Sequence, residues 1–289
     1  MKVVVLGATG QVGSVVYDAL QQRYVVRGTS RKQSGELLQF DPFVDDWSVL
    51  GKIDVLVNCV GQIDTTDHSF EEIHLGLTRL IAKNRELMGN PRIIQVSALG
   101  ASAGHSVDFL RTKGLADDYL LTQSNTVVVR PSIVCTHRTT IIKKLLILFR
   151  ISKYTNRVVF VPKGFLTNRI QPVMANDLAA LVSVLCSLEE LPKVVNAAGP
   201  EPISYRQLIE IMFRSRDKSF RIVEVPRIVF DLLVKYVIAL LLPKVINAQQ
   251  YQLLFDNNMA EPTEFAWLIG AAPKSCTLFL INEFTDASH

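Results

Sequence analysis

Over the first two-thirds of the chain, short apolar runs alternate with longer stretches of helical periodicity. The runs KVVVLG (2–7), YVVRG (24–28), LLQFD (37–41), DVLVNCVG (54–61), RIIQVS (92–97) and TVVVR (126–130) predict strands. Residues 11–22, 68–87 and 106–122 predict amphipathic helices between them. Strands this uniformly rich in Val and Ile are buried on both faces, as in a parallel sheet covered by helices. The pattern therefore predicts an α/β fold with a doubly wound parallel sheet. After Pro131 the regularity breaks. QPVMANDLAALVSVLCSL (171–188) then predicts a helix returning to the sheet, with Asn176 or Asp177 near its start, and KVVNAAG (193–199) one more strand. Residues 1–135 and 170–199 are thus expected to form the sheet domain. Residues 136–169 and 200–289 are expected to form a smaller, mostly helical lobe with a short strand at RIVEVP (221–226).

A chain of 289 residues can bury a sizeable core. Its hydrophobic fraction of 48% and mean hydropathy of +0.24 raise the question of a membrane span. Such a span needs roughly 18 apolar residues in a row. The best candidate, PRIVFDLLVKYVIALLLP (226–243), is interrupted by Asp231 and Lys235. Together with Arg227 these charges make one polar stripe, which predicts a buried amphipathic helix, with a membrane-surface helix as the alternative. Met1 runs directly into a strand, which predicts no leader peptide. Cys59, Cys135, Cys186 and Cys276 are scattered without a CxxC pair and read as reduced core thiols. The expected location is cytoplasmic, or the periphery of a membrane. The histidines lack metal-ligand spacing, and His68 and His74 are expected at the surface, so no metal site is predicted.

Net charge is only +4, but it is unevenly spread. Tyr119 to Asn176 contains no Asp or Glu, yet holds Arg130, Arg138, Lys143, Lys144, Arg150, Lys153, Arg157, Lys163 and Arg169. Such a block, within 130–169, points to an anionic neighbour: an anionic small molecule, an acidic protein or a membrane surface. A solvated face is the plainer alternative. Nucleic acid is not expected, because base-stacking aromatics are not interleaved with the cations, although Phe149, Tyr154 and Phe160 lie nearby.

The most specific chemistry lies at the first strand–helix junction, GATGQVG. Gly7 permits a tight turn, Gly10 lets the backbone approach a pyrophosphate, and Gly13 lets the helix pack close to the strand. Thr9, Gln11 and Val12 complete a loop whose N–H groups face the same anion. The context, a Val-rich strand before it and a helix after it, is the one an NAD(P)-binding Rossmann domain requires. Where an NAD binder places a carboxylate after its second strand, this chain has Gly28, Thr29 and Ser30, followed by Arg31 and Lys32. A guanidinium clamps a 2′-phosphate that a carboxylate would repel, so NADP(H) is predicted over NAD(H). An ordinary surface arginine is the competing reading of Arg31. Asp41, after the third strand, is either an adenine-side contact or a loop cap.

GATGQVG, NCVG (58–61), VSALGA (96–101), FLRTK (109–113), RPSIV (130–134), QPVMANDLA (171–179) and NAAGPEPISYRQL (196–208) together resemble the short-chain dehydrogenase/reductases of the atypical branch. Within that branch the likeness is to the accessory nucleotide-binding subunits of respiratory complex I and to NmrA-like proteins. The resemblance implies a Rossmann domain holding NADPH under a smaller lobe. It implies that Gly7, Gly10 and Gly13 form the pyrophosphate loop and that Arg31 meets the 2′-phosphate. Val60 and Gly61 would then lie beside the adenosine ribose, Ser97 at the active-site serine position, Lys113 on the nicotinamide ribose, and Pro131 with Ser132 against the carboxamide. Phe109 stands where the family has its catalytic tyrosine.

A phenyl ring cannot exchange a proton, and general acid–base help is worth about 10²–10⁴-fold in rate. Two functions are therefore expected to compete. One is a weakly active or non-catalytic NADP(H)-binding, redox-sensing protein. The other is an NADPH-dependent reductase or isomerase in which Lys113, its pKa lowered by desolvation, is the acid–base group for an anionic or carbonyl substrate. Substrate and oligomeric state are not legible.

Overall fold

Alternation along Lys2–Leu6 decides how the centre of the molecule is built. Val3 and Val5 face one hydrophobic layer, Val4 and Leu6 the other, and all four are at most 1% exposed. A strand buried on both faces needs helices on both sides, and each such side chain contributes about 1.5–3 kcal/mol on burial. The computed structural model describes residues 1–62, 68–137, 139–215, 219–233 and 248–286. Arg138 and residues 234–243 of the predicted long helix fall outside them, as do the side chains of Lys143 and Lys144.

The chain begins β1 (Lys2–Leu6), α1 (Gln11–Gln21), β2 (Val25–Ser30), β3 (Leu38–Gln39), β4 (Val55–Asn58) and α2 (Leu77–Lys83). It continues with β5 (Arg92–Val96), α3 (Asp108–Leu120), β6 (Thr126–Pro131), β7 (Val134–Cys135), α4 (Thr140–Ser152) and β8 (Val158–Pro162). Next come β9 (Arg169–Ile170), β10 (Val173–Met174), α5 (Ala175–Ser187), β11 (Val194–Ala197), β12 (Ile203–Ser204) and α6 (Tyr205–Arg214). The remainder is β13 (Arg221–Val225), α7 (Arg227–Leu233), α8 (Ala248–Leu253), α9 (Thr263–Ile269) and α10 (Thr277–Asp286).

Seven strands form one parallel sheet in the order β11-β6-β5-β4-β1-β2-β3. The order reverses between β1 and β4, which creates a crevice at the carboxyl ends of the strands. One hydrophobic layer joins the sheet to α1 and α5, the other joins it to α2 and α3. A third cluster gathers Leu145, Val159, Val161, Leu208, Phe213 and Phe284 from the smaller lobe. The stretch after Gly199 is divided: α6 and α10 build that third cluster, while Phe265 and Leu268 of α9 pack on the sheet layer beside α5.

Two predicted elements differ in detail. The run 37–41 shrinks to the two-residue β3, because Asp41 turns the chain by accepting from Phe43 N–H (3.0 Å) and Pro42 offers no ladder donor. The predicted 68–87 helix opens into a π-turn at Glu72–Gly76, then α2, then a 3-10 turn at Glu86–Met88. π-turns within α-helices are frequent at functional positions.

Candidate functional site

The glycine loop crosses the end of β1. Gly7 is left-handed (φ 78°), and its carbonyl accepts from Gly10 N–H at 2.9 Å. A Cβ added at Gly13 would lie 2.1 Å from that same carbonyl, so no side chain fits there. α1 opens with Gly10 as its N-cap, has no side-chain cap bond and no acid in its first turn. Its positive end thus meets the crevice without a resident carboxylate. Thr9 and Gly10 are exposed, with Gln11 and Val12 half-buried beside them. Arg31 is exposed and directly follows β2, and Ala8 N–H donates to Thr29 O (3.1 Å), which ties the glycine loop to that strand end. Asp41 lies beyond β3, where its carboxylate caps its own turn and its N–H donates to Asp45 (2.7 Å).

Across the switch point, Val60 and Gly61 follow β4, and Val60 N–H donates to Asn58 Oδ1 (3.0 Å). Asn58 is itself held by Gln95 through a buried bond of 2.9 Å. A Cβ at Gly61 would come within 3.3 Å of Lys113 Nζ, so the lysine of α3 lies directly beneath this turn. Lys113 is buried. Its Nζ donates to Val96 O at 3.5 Å and stands 5.6 Å from the centre of the Phe109 ring, as expected one helical turn apart. Burial brings its pKa down from 10.5 to about 8, while Asp117 and Cys59 act in the opposite direction. The Cys59 thiol is pushed up to about 12 by burial, against the pull of Lys113.

Ser97, just after β5, is committed elsewhere. Its hydroxyl donates to Asp117 Oδ2 at 2.9 Å, and Arg130 Nε donates to the same oxygen at 2.8 Å. The Asp117 carboxylate is 0% exposed, and its other oxygen is buried without a partner among the described residues. Burial pushes this carboxyl up, opposed by Ser97, Arg130 and Lys113. Arg130 was expected among the surface cations. It belongs instead to this internal pair, because the end of β6 faces α3 rather than solvent.

Phe109 is packed into an aromatic group. Its ring centre is 6.0 Å from Phe70 and 5.6 Å from His74, both edge-on. His74 is therefore not a surface residue: it is 2% exposed, on the π-turn, with Nδ1 2.8 Å from Thr112 Oγ1. With the Thr112 hydroxyl donating to Asp108 O (2.8 Å), the bond between them takes its proton from His74 Nδ1, which leaves a lone pair on Nε2. That Nε2 is buried without a partner among the described residues, and burial, aided by Lys113, lowers the His74 pKa to about 2. His68 is half-buried and stacks on Phe43.

Pro131 and Ser132 close the far side. Pro131 O accepts from Leu99 N–H at 2.8 Å, and Ser132 N–H donates to Ala197 O at 2.9 Å. Asn258, from the stretch after α8, reaches over this turn, accepting from Ser132 Oγ and donating to Leu99 O at 3.3 Å. His105 faces Asp256 of the same stretch at 3.6 Å. Gly7, Thr9, Gly10, Arg31, Val60, Gly61, Ser97, Pro131 and Ser132 sit at the carboxyl ends of parallel strands or in the turns that follow them, Gln11, Val12 and Gly13 in the first turn of α1, with Lys113 rising beneath. Asp41 follows β3, the edge strand of the same sheet. Asp117, His74, Asn58, Gln95 and Asn258 were missed. Asp117 had a signal: with Leu110, Lys113, Gly114 and Leu120 it falls on one helical face.

Comparison with known proteins agrees with this architecture. No protein-family model matches the chain. It is 29% identical over 247 residues to NADH dehydrogenase (ubiquinone) 1 alpha subcomplex subunit 9, mitochondrial, of Arabidopsis thaliana. That match covers 77% of this chain, which spans 60% of the relative's length. Among solved structures, UDP-glucuronic acid 4-epimerase from Bacillus cereus, in complex with UDP-glucuronic acid and NAD, superposes with a TM-score of 0.73 at 15% identity, over 99% of this chain and 98% of the other. RMD from Pseudomonas aeruginosa complexed with NADPH gives a TM-score of 0.66 at 14% identity, over 99% of each chain. The sheet order, the glycine loop and these likenesses show a Rossmann fold in a chain similar in sequence to the complex I subunit.

Proposed function

We propose that the protein binds NADP(H) and holds it with little or no turnover, as a structural or redox-sensing nucleotide. The observation that carries this reading is the commitment of Ser97. Its only hydroxyl proton goes to buried Asp117, and the neighbouring ring of Phe109 has none to give. A carbonyl substrate would find neither a serine donor nor a phenol, which removes about 10²–10⁴-fold of acid–base help. Asn258 on Ser132 and Leu99 narrows the same end further.

The glycine loop fits a dinucleotide, because without a Cβ at Gly13 α1 approaches the Gly7 carbonyl closely, and no acid in its first turn faces the crevice. In this reading Gly7, Gly10 and Gly13, with the amides of Thr9, Gln11 and Val12, hold the pyrophosphate. Arg31 holds the 2′-phosphate, Val60 and Gly61 flank the ribose, and Lys113 donates to a ribose hydroxyl. When bound, the nucleotide supplies hydride chemistry; the chain supplies position and exclusion of water. The absence of a carboxylate at Gly28, Thr29 and Ser30 supports NADP(H) over NAD(H).

A second reading, an NADPH-dependent reductase or isomerase on an anionic or carbonyl substrate, is favoured by one fact. A lysine with a pKa of about 8 exchanges protons near neutrality. Titration calorimetry and absorbance near 340 nm separate the two. The inert reading expects tight NADPH binding, no steady oxidation with carbonyl compounds, and an Arg31→Ala protein weakened roughly 10–100-fold for NADPH but not NADH. Steady NADPH consumption that vanishes in Lys113→Ala would establish the enzyme instead.

A further inference from the structure

The smaller lobe carries a surface that nucleotide binding does not use. Along β8, Val159 and Val161 point into the third cluster, so alternation turns Phe160 outward. Parallel register sets Phe160 beside Val223 of β13, and Val158 beside Arg221. Phe160 and Val223 keep 45% and 42% exposure, a laterally paired apolar strip on a solvent face. The turn entering β8 adds to it. Asn156 and Arg157 are both left-handed (φ 51° and 60°), a conformation that L residues rarely adopt twice in succession. This turn lifts Tyr154 to 92% exposure between Lys153 and Arg157, next to Arg150 and Ile151 at the end of α4. Lys163, also exposed, follows the far end of β8. α7 packs against β8 and leaves Ile228, Val229 and Leu232 exposed.

The α4–β8 segment itself supplies no acid, because Tyr119 to Asn176 contains none, and Glu283 of α10, which packs on α4, is paired with His137. On the packed elements, Glu224 falls on the opposite face of β13 from Val223, and Asp231 is held by Tyr251 (2.6 Å) and faces Arg227 (3.9 Å). An exposed tyrosine flanked by cations and set on an apolar strip has the chemistry of a bilayer interface. The ring suits headgroup depth, and the cations suit lipid phosphates. A fluid lipid surface needs charge and apolar area but no matching contour, and this face offers both.

We propose that this face docks the protein reversibly on an anionic bilayer surface. Tyr154 and Phe160 enter the headgroup layer, and Arg150, Lys153, Arg157 and Lys163 meet lipid phosphates. Sedimentation of the full chain with vesicles of phosphatidylcholine alone, or with phosphatidylserine added, tests it. Pelleting is expected only with phosphatidylserine and is expected to fall as salt rises. Lys153→Gln and Lys163→Gln should each weaken it by about fivefold, and Tyr154→Ser should weaken it further. Tyr154→Trp should shift its emission to the blue on these vesicles, after subtraction of the wild-type signal from Trp47 and Trp267. Unchanged melting and NADPH affinity in the exposed-site variants exclude a folding defect. The proposal fails if phosphatidylserine vesicles pellet no protein, or if a variant combining Lys153→Gln, Tyr154→Ser and Lys163→Gln pellets like wild type. It fails equally if the chain binds polyglutamate but no vesicle, which would make the partner an acidic protein.

Discussion

The two ends of the strand crest are built from different materials. At the β1–α1 end the geometry rests on backbone: a left-handed Gly7, its carbonyl, and a Gly13 that leaves room for it. At the β5–α3 end it rests on side chains, each already engaged by another: Ser97 by Asp117, Asp117 by Arg130, Phe109 by Phe70 and His74. Backbone donors remain available to an incoming phosphate whatever surrounds them. Side-chain donors, once given to a buried carboxylate, are lost to a substrate. The difference teaches that binding and turnover can be separated within one crevice.

The largest expected effect breaks the first end. Gly13→Val forces a side chain onto the Gly7 carbonyl and should cost about 3 kcal/mol of stability, with NADPH affinity falling about a hundredfold by calorimetry. Asp117→Asn breaks the second end. It removes the charge facing Arg130, and urea melts should report a loss of about 3 kcal/mol, with NADPH affinity within about twofold of wild type. If affinity collapses too, the two ends are not separable. Phe109→Tyr sharpens the contrast more gently. A hydroxyl returns beside Lys113, but Ser97 stays on Asp117, so NADPH oxidation should rise by about tenfold, short of the full 10²–10⁴.

The smallest effect is pH-dependent. Lys113 is charged below about 8 and neutral above it, so NADPH affinity should fall as pH rises through 8, by at most about tenfold per unit. Stability without nucleotide runs the other way. Between the folded pKa of about 8 and the unfolded 10.5 the unfolded chain binds more protons, so the Lys113 contribution to stability rises with pH. The wild type minus Lys113→Met difference isolates it.

Much of the fold was legible because its causes are local. Val-rich runs of strand length, a glycine triplet at fixed spacing and helical periodicity each leave a mark within a few residues. The glycine loop was legible for the same reason: backbone chemistry demands glycine itself. The Ser97–Asp117–Arg130 network was not: periodicity puts Asp117 on the inner face of α3, but its partners lie 20 and 13 positions away, and Arg130 reads as the first cation of an acid-free block. Only the approach of α3 to the β5 and β6 ends joins them. His74 was misplaced because nothing in EIHLG announces a π-turn that rotates the imidazole inward. Asn258 meets Ser132 across 126 positions, beyond any local pattern.

That long-range clasp has a kinetic meaning. A dinucleotide seated as proposed would have its far ring behind Asn258, with His105 and Asp256 fastening the same stretch. Escape would then require the clasp to part first, so residence time would track the opening rate of the clasp rather than the strength of phosphate contacts. Such a molecule exchanges its nucleotide slowly even against excess competitor, and retains the oxidised or reduced form it captured.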